Sequence, residues 1–584
     1  LNFGNYSSGI VGFDLNVYPA YLYGYTGRGS NAVILDDGID RLHADLKRNY
    51  DANISGNIND PPPWNDDPRG PYETMRAEDA HGTMCAGLLA AEANNEICSH
   101  GIAYNAKVGA VRLLAGPVND IVEASSMLVN AEGSDIYCAS WGPTDDGLTM
   151  EQPRFFTKQA FVHGDEKGRN GLGSLFVFAS GNGGLKGDHC GADGFVSSQH
   201  VIAVAALDAK AEVTIYSEKC AATRLAVPVG AVYLHPLGSK DLLPSTDANN
   251  GCMDSFVGTS AAAPLVAGCL AMALEANPNL RKRDIENILP WSTRLPNPTD
   301  HDWWVNSGGV LFSPHAGYGL LDCTRLVFLA KSWNPVGALC LNKMRFGHLQ
   351  PPPWAKLQAL VPGLRNYVDI STMEKLNEFR GAFAKLHKQY PKSLLIHTGS
   401  KLDVPVSPIH ASVSQSGEHE DCTLEIVEKV IVRYQLSHIC RGAMSLKLRS
   451  PTGTVSDLLL RRGIDSYSGE IDMNVTSVAH WGEHFTNEPW HFTIETDKHC
   501  RNTFLDPLEG VVGILMYLEL HIEGSTVGAS AYERNAELIR PHLPHVSRLA
   551  LETKQSRRLE PDDVAKTFDE QRWGSLNFSK KLVK

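Results

Sequence analysis

Three separated segments carry side chains that together could activate a hydroxyl. Asp36 closes the apolar run in VILDDGID, His81 opens AHGTMCAG, and Ser260 sits in VGTSAAAP. A serine hydroxyl is a weak nucleophile until an imidazole accepts its proton. The imidazole in turn needs a carboxylate to fix its tautomer and stabilise its cationic form. Gly258 and the alanines after Ser260 leave room for a substrate backbone to come close. A fourth segment, FVFASGNGG, offers Asn182, whose side-chain amide can donate to the oxyanion of a tetrahedral intermediate. These residue types add up to acyl transfer through a covalent serine intermediate. Asp36 and Asp37, adjacent at the end of an apolar run, repel each other. The second carboxylate therefore needs a purpose of its own.

Residues 24–335 must position these groups. They alternate short apolar runs (NAVILDD, KVGAVRLL, SDIYCASWG, GSLFVFASGNGG, HVIAVAAL) with helix-like stretches, the rhythm of βα units around a parallel sheet. Several runs end in Gly, Asp, Ser or Asn, which places polar residues at the carboxyl ends of strands, where open α/β sheets keep their chemistry. HGTMCAGLLAAEAN and GTSAAAPLVAGCLAMALEAN read as Ala-rich helices. After residues 332–335 the texture changes. Residues 341–415 hold QPPPW and the amphipathic STMEKLNEFRGAFAKLHKQY, and residues 416–523 hold short β-like segments separated by turns, which reads as a β-sandwich or jelly roll. The expected division is 1–335 catalytic, 336–523 β-rich with a long insertion at about 341–415, and 524–584 a polar, loosely ordered tail.

Bulk properties bound the partners. At 584 residues, 43% hydrophobic and 20% charged, the chain reads as a soluble protein of more than one domain. A net charge of −13 disfavours nucleic acid and suits a basic ligand or a cation. No apolar run approaches the roughly 20 residues of a membrane span. The first sixteen residues show neither a basic start nor a long apolar centre, so no secretory signal is read there. Twelve cysteines and the sequons at Asn5, Asn53, Asn474 and Asn577 are compatible with secretion.

Taken together, GYTGRG, LDDGID, HGTMCAG, DIYCASWGPTDDG, ASGNGG and GTSAAAP resemble the subtilisin-fold serine proteases of the kexin/furin group, the proprotein convertases. SPTGT, HWGEHF and PWHFTIE resemble the P domain that follows the catalytic domain in that group. The resemblance implies an α/β subtilisin-like domain followed by a β-sandwich P domain, with Asp36, His81 and Ser260 as triad and Asn182 as oxyanion donor. It also implies cleavage of precursor proteins after paired basic residues, a calcium cofactor, and an inhibitory propeptide as a partner. The implied location is the secretory pathway (Golgi or secretory vesicles) or outside the cell, with no transmembrane segment in this chain.

By the same resemblance, Asp193 and Asp145 surround the arginine at the scissile bond. Asp37, facing outward, serves the residue before it together with Glu78 and Asp79, and Glu123 and Glu151 serve one further upstream. Ser140, Trp141, Gly142 and Pro143 form the backbone edge along which substrate lies as an added strand. Calcium would be held by Asp145, Asp188 and Glu218. A second ion would sit on Asp45 and Asn95 with carbonyls of Glu92, Ile97 and Ser99, and a third could draw on Asn57, Asp66 and Asp67. The implied disulfides are Cys98–Cys252, Cys190–Cys220 and Cys340–Cys422, with Cys85 a free thiol near the site. Cysteines 138, 269, 323, 440 and 500 read as small core residues. LDDGID, VEASS, GPTDDG and GTSAAAP resemble the neuroendocrine convertase 2 branch, from which Asn182 departs. HGTMC stands where the family has HGTRC, and Cys440-Arg441-Gly442-Ala443 where it has Arg-Arg-Gly-Asp. The alternatives are an inactive relative that binds precursors and a degradative subtilase without basic specificity.

Overall fold

The computed structural model describes residues 13–60, 67–70, 75–230, 243–297, 302–346, 395–408, 423–500, 511–526 and 530–582. The first sheet contains β1 (Asn31–Asp36), β2 (Gly56–Asn57), β3 (Lys107–Arg112), β4 (Ile136–Ala139), β5 (Leu175–Ala179), β6 (Val201–Leu207) and β7 (Thr223–Pro228), all parallel. A hairpin follows, β8 (Leu243–Asp247) and β9 (Gly251–Phe256), then short strands β10 (Thr293–Arg294), β11 (Trp304–Val305), β12 (Leu311–Phe312) and β13 (Leu320–Leu321). The sheet order is β10-β13-β7-β6-β5-β4-β1-β3-β2. β1 lies between β3 and β4, with Ile34 opposite Ala110 and Cys138, and is buried on both faces, as its unbroken apolar run requires.

Two of the helices packed on this sheet, α2 (His81–Ala90) and α5 (Thr259–Ala276), lie against each other in the core and are built mainly from Ala, Gly and Leu. Small side chains let backbones come close; a Cβ on Gly268 would lie 2.6 Å from Ile102. α5 is apolar and long enough to cross a membrane, but it is buried in this core. The remaining helices used below are α3 (Asp120–Ser126), α4 (Phe155–Gly171), α6 (Lys282–Ile288) and α7 (Cys323–Ser332).

The second body is antiparallel: β14 (Cys340–Arg345), β15 (Leu395–His397), β16 (Lys401–Pro408), β17 (Ile426–His438), β18 (Met444–Arg449), β19 (Val455–Leu459), β20 (Gly469–Ser477), β21 (Trp490–Thr496) and β22 (Val511–Ser525). β20-β17-β22-β14 form one layer and β16-β21-β18-β19 the other; β16 pairs with both β14 and β21 and so joins them around one apolar core. Three pieces of the stretch read as an insertion, β14, β15 and β16, are thus strands of this sandwich. The amphipathic segment 371–390 lies outside the described residues. Charge stitches the two bodies: Arg283 on α6 makes a bidentate pair with Glu428 (2.8 and 2.7 Å), and half-buried Lys429 reaches Glu286 at 3.3 Å.

Two expectations are corrected. The C-terminal residues are not a loose tail: Arg558 pairs with Trp304 of β11, Leu559 N donates to Trp303 O at 2.9 Å, and Val546, Ala550, Leu559 and Val564 bury against the catalytic domain. Four scattered apolar residues suffice to dock a mostly polar segment. Nor are Cys269, Cys323, Cys440 and Cys500 reduced core residues: disulfides join Cys269–Cys323 and Cys440–Cys500, besides Cys98–Cys252 and Cys190–Cys220. Cys340 is also disulfide-bonded, while Cys422 lies outside the described residues. Cys85 and Cys138 are free and buried. Cys269–Cys323 ties the helix that carries Ser260 to the start of α7 and closes 54 residues. Replacing both cysteines with alanine should lower the unfolding free energy by about 2–4 kcal/mol, read from denaturant midpoints.

Candidate active site

Five elements deliver side chains to the carboxyl edge of the first sheet, α2 among them, which opens on His81. β1 ends on Asp36, β4 runs out into Ser140–Pro143, β5 leads to Asn182, and α5 begins one residue before Ser260. Asp36 is buried, and both its carboxylate oxygens lie 2.9 Å from His81 Nδ1. That carboxylate raises the imidazole to about 9 against the lowering effect of burial. With Nδ1 held, Nε2 is the nitrogen left to handle a proton. Ser260 is half-buried, and its hydroxyl donates to the Ser140 carbonyl at 3.4 Å.

A proline sets the pose of that serine. Pro264 lies inside α5 and has no N–H to give to the carbonyl of Ser260 one turn earlier. The Ser260 carbonyl accepts instead from the Ser140 hydroxyl at 2.9 Å and the Cys85 thiol at 3.7 Å. Burial and Asp36 push the Cys85 thiol well up, so it stays protonated beside the site. Asn182 is exposed at the crevice; its Oδ1 accepts from Thr259 N (2.9 Å) and Thr259 Oγ1 (3.0 Å), which leaves the NH2 end free to donate. Thr259 was not singled out in the sequence, although it adjoins Ser260.

The aspartate pair resolves differently from the expectation. α2 starts after Ala80, whose side chain cannot cap it, and the first amides of a helix are orphan donors. Asp37 caps it from the neighbouring strand: Oδ2 accepts from His81 N at 3.0 Å and Oδ1 from Gly82 N at 2.8 Å. It is buried and turned toward the helix, not outward to substrate, because the partial positive charge of the helix start holds it. Asp36 thus holds the ring of His81 and Asp37 its backbone. A Cβ on Gly82 would collide with the Gly38 carbonyl. Asp79 is also corrected: Arg76 (2.8 and 3.1 Å) and buried Arg112 (3.0 Å) engage its carboxylate. Arg112 also donates to the Asp37 carbonyl and, at 3.1 Å, to Asp60. Glu78 is exposed and pairs with Arg76 at 2.9 Å.

The other acids are held by neighbouring donors. Asp193 Oδ1 accepts from Phe195 N (2.7 Å) and Val196 N (3.2 Å), while Oδ2 faces Gly142, where a Cβ would lie 2.8 Å away. Burial pushes this carboxyl up to about 7. Asp145 accepts from Asn182 N at 2.7 Å. Trp141 donates to Leu35 O at 2.8 Å and packs on Phe178 and Phe195, which stiffens the wall, and Gly142 and Pro143 follow it toward the solvent. Glu123 accepts from Thr157 Oγ1 at 2.9 Å; burial raises its carboxyl above the usual range, and repulsion from Asp120 and then Glu151 adds to that. Glu151 shares a backbone bridge with Asp193, so the upstream acids and the pocket belong to one frame.

Asp145, Asp188 and Glu218 converge beside Asp193. Burial first, then Asp188, Asp145 and Asp193, raise Glu218 well above the carboxylate range. A Cβ on Gly183 would lie 2.5 Å from Asp188 Cβ and 2.8 Å from Glu218 Oε1. Carboxylates gathered this way fit the donor set of a hard divalent ion, and these three residues fit calcium. Arg462 of the second body reaches Asp188 Oδ1 at 3.1 Å, a contact no local pattern foretells. Asp45 is contacted by Asn95 Nδ2 (2.7 Å) and Ser99 N (3.4 Å), Ile97 N bonds Asn95 Oδ1 (3.1 Å), and Glu92 pairs with Arg48. That loop is closed by its own donors and is a poorer fit. In the third set Asp67 is already neutralised by bidentate Arg41 (2.9 and 2.7 Å), and Asp66 lies outside the described residues.

A parallel sheet of this order, with Asp36 holding the His81 ring at its carboxyl edge and Ser260 opening a helix beside the Ser140 carbonyl, defines a subtilisin-like serine peptidase domain. Residues 27–319 match the Subtilase family and residues 427–504 the Proprotein convertase P-domain. The rat proprotein convertase subtilisin/kexin type 6 is 37% identical over 82% of this chain and 45% of its own length. The mouse type 4 protein is 35% identical over 91% of this chain and 70% of its own, and bovine furin 36% over 85% and 55%. The chain thus spans less than half the length of the type 6 relatives. The crystal structure of a serine protease of Aeromonas sobria shares the fold, with TM-score 0.66, 20% identity and coverage of 88% and 92% of the two chains. The chain belongs to the subtilase family and, within it, to the proprotein convertases with a P domain.

Proposed function

We propose that this chain is a calcium-using serine endoprotease that cuts precursor proteins after paired basic residues, in the secretory pathway or after secretion. The observation that carries it is Asp193: a carboxylate with one oxygen held by two backbone amides and the other aimed at the gap left by Gly142, two residues beyond the Ser140 carbonyl that the Ser260 hydroxyl meets. Such a group rejects apolar side chains and gains most from a guanidinium. Asp145 supports it there, and Glu123 and Glu151 offer charge further upstream. The disulfides suit an oxidising compartment.

With substrate laid along Ser140–Pro143, Ser260 Oγ attacks the carbonyl carbon as its proton passes to His81 Nε2. Asp36 stabilises the imidazolium and the Asn182 NH2 donates to the new oxyanion. His81 then returns the proton to the departing amine as the C–N bond breaks, and water repeats the sequence on the acyl-enzyme. Asp145, Asp188 and Glu218 would hold calcium, whose charge offsets their repulsion and orders the pocket loop.

The test is purified protein with calcium and fluorogenic peptides ending in Arg-Arg, Lys-Arg or Ala-Phe. The basic peptides should be cut by the parent and not by Ser260→Ala. Equal turnover of Arg-Arg and Ala-Phe overturns the specificity, and absence of Ser260-dependent cleavage favours a relative that only binds precursors.

The pH profile gives a second check. Raising pH takes the proton off His81, which makes it a base, and ionises Asp193, which makes the pocket anionic, so both changes raise kcat/KM. For an arginine substrate, log kcat/KM should climb with pH up to about 9, where His81 is fully basic, and more steeply at its acid end than for a neutral substrate. The extra slope should vanish in Asp193→Asn.

A further inference from the structure

A cleft that takes its substrate as an added strand needs extended, accessible chain, and it refuses helices and buried segments. Adjacent basic residues occur in this chain at Lys47-Arg48, Arg281-Lys282-Arg283, Arg461-Arg462, Arg557-Arg558 and Lys580-Lys581. Most of these are closed to such a cleft. Lys47 N donates to His43 O and Tyr50 N to Leu46 O, both at 2.9 Å, so the first pair sits in helical turns. The run at 281–283 leads into α6 with Lys282 buried, and the last pair lies within the helix Pro561–Leu582. Arg462 is buried and engaged by Asp188 and Asp465. Among the described residues only Arg557-Arg558 forms an extended strand with both side chains in solvent. This strand, β23 (Arg557–Arg558), pairs antiparallel with β11 at the edge of its sheet, and its side chains are 42% and 55% exposed.

The residues on either side are fastened down. Ser556 Oγ accepts from Ser307 N at 2.9 Å and donates to Glu483 Oε1 at 3.1 Å, which ties the strand to both bodies. Leu559 is buried, its N–H donates to Trp303 O at 2.9 Å, and Val564 continues the same apolar contact. The arginines themselves hold little. Arg557 meets Asp563 at 2.9 Å and Arg558 meets Asp302 at 2.8 Å, in partly exposed ion pairs that water and salt weaken. A two-residue strand held by a few apolar side chains belongs to the low end of local opening energies. When it opens, it offers an arginine for Asp193, a second arginine before it, and a bond to Leu559 beyond.

We propose that the Arg558–Leu559 bond is a cleavage site for a second copy of this chain, masked while Leu559 and the helix after it are docked and cut when they lift away. This deepens the endoprotease reading and rests on it for the paired-basic preference. Ser260 Oγ of the second copy attacks the Arg558 carbonyl carbon. The C–N bond breaks as His81 gives its proton to the Leu559 nitrogen, and water then releases Arg558 as a carboxylate. The product keeps both bodies but loses its covalent link to the helix Pro561–Leu582, whose Gln571 Oε1 accepts from Leu295 N at 2.6 Å.

The test mixes a trace of the parent with an excess of the full Ser260→Ala chain in calcium; the excess chain cannot cut itself, so every cut is intermolecular. Mass spectrometry should find a new amino terminus at Leu559, and none there when the excess chain also carries Arg557→Gln and Arg558→Gln. Val564→Ala in the excess chain should speed the cut about tenfold, because it loosens the docked helix without touching the residues the cleft reads. The control is the free peptide Lys-Gln-Ser-Arg-Arg-Leu-Glu. If the parent cuts that peptide but leaves no terminus at Leu559 in the folded chain, the proposal is overturned. First cuts after Arg48, Arg283 or Arg462, or an unchanged rate in Val564→Ala, overturn it too. If the free peptide also survives, the endoprotease reading fails and takes the proposal with it.

Discussion

Asp36→Asn should lower kcat about 10⁴-fold and leave KM within a factor of a few. Both oxygens of Asp36 lie 2.9 Å from His81 Nδ1, and Oδ1 also accepts from Asp37 N at 2.8 Å. In the asparagine variant the amide oxygen keeps the Asp37 bond, which leaves the NH2 group facing Nδ1. Two donors then oppose each other, and the ring responds by moving its proton to Nε2, the atom that must be bare to accept from Ser260. The imidazolium formed during attack also loses the carboxylate hydrogen-bonded to its ring. Removing that charge lowers the His81 pKa toward its ordinary value and lets Asp37 fall from about 7, since Asp36 is the leading cause of the first shift and second to burial in the other. The residual activity should therefore reach its plateau at lower pH than in the parent. The measurement is a pH–rate profile on an arginine ester with both kcat and KM resolved. A tenfold loss, or an unchanged acid limb, would remove Asp36 from the role assigned to it.

Local patterns made the catalytic frame legible. An apolar run ending in Asp, an Ala-rich helix opening on His, and a small-residue segment around Ser each declare both an element and the group at its end. The aspartate after Asp36 was legible in type but not in direction, because only the strand's angle to α2 decides whether Asp37 looks at a groove or at two amides. Asp79 was read as open to substrate because nothing near it in sequence shows Arg112 turning inward from β3. Cys269 and Cys323 sit in helices with no spacing that announces a bond; their Cα atoms come within 5.4 Å only through the packing of α5 on α7. Arg462 meets Asp188 across 274 positions. The C-terminal helices were hidden because Val546, Ala550, Leu559 and Val564 are too thinly spread in a polar segment to signal a packed face.

Asp193→Asn should cost about 10³-fold in kcat/KM for an arginine substrate and at the same time stabilise the free protein. The first effect follows from geometry. The amide oxygen can keep the bonds from Phe195 N and Val196 N, which leaves the NH2 group at the position of Oδ2, facing Gly142. Donor hydrogens then meet a guanidinium that has only donors, and removing one member of a desolvated charged pair costs about 2–5 kcal/mol. At about 1.4 kcal/mol per decade, a 10³-fold loss lies within that range. The loss should appear for Arg and Lys alike and be small for a neutral residue at the same position, so the preference collapses more than the turnover of a poor substrate does. The second effect has the opposite sign. Burial raises the Asp193 carboxyl to about 7 in the folded chain, with Asp145 and Asp188 adding to it. A folded-state pKa above the unfolded value means that ionisation disfavours the fold. The penalty is absent below about 4, grows as pH rises toward 7, and is complete above it. The variant should therefore melt at the parent's temperature at pH 4 and above it at pH 8 in calcium-free buffer. A variant that lost selectivity but melted lower at pH 8 would mean that Asp193 is held by a counter-charge in the empty pocket. The strain of keeping an unpaired carboxylate out of water would then not be what selects arginine.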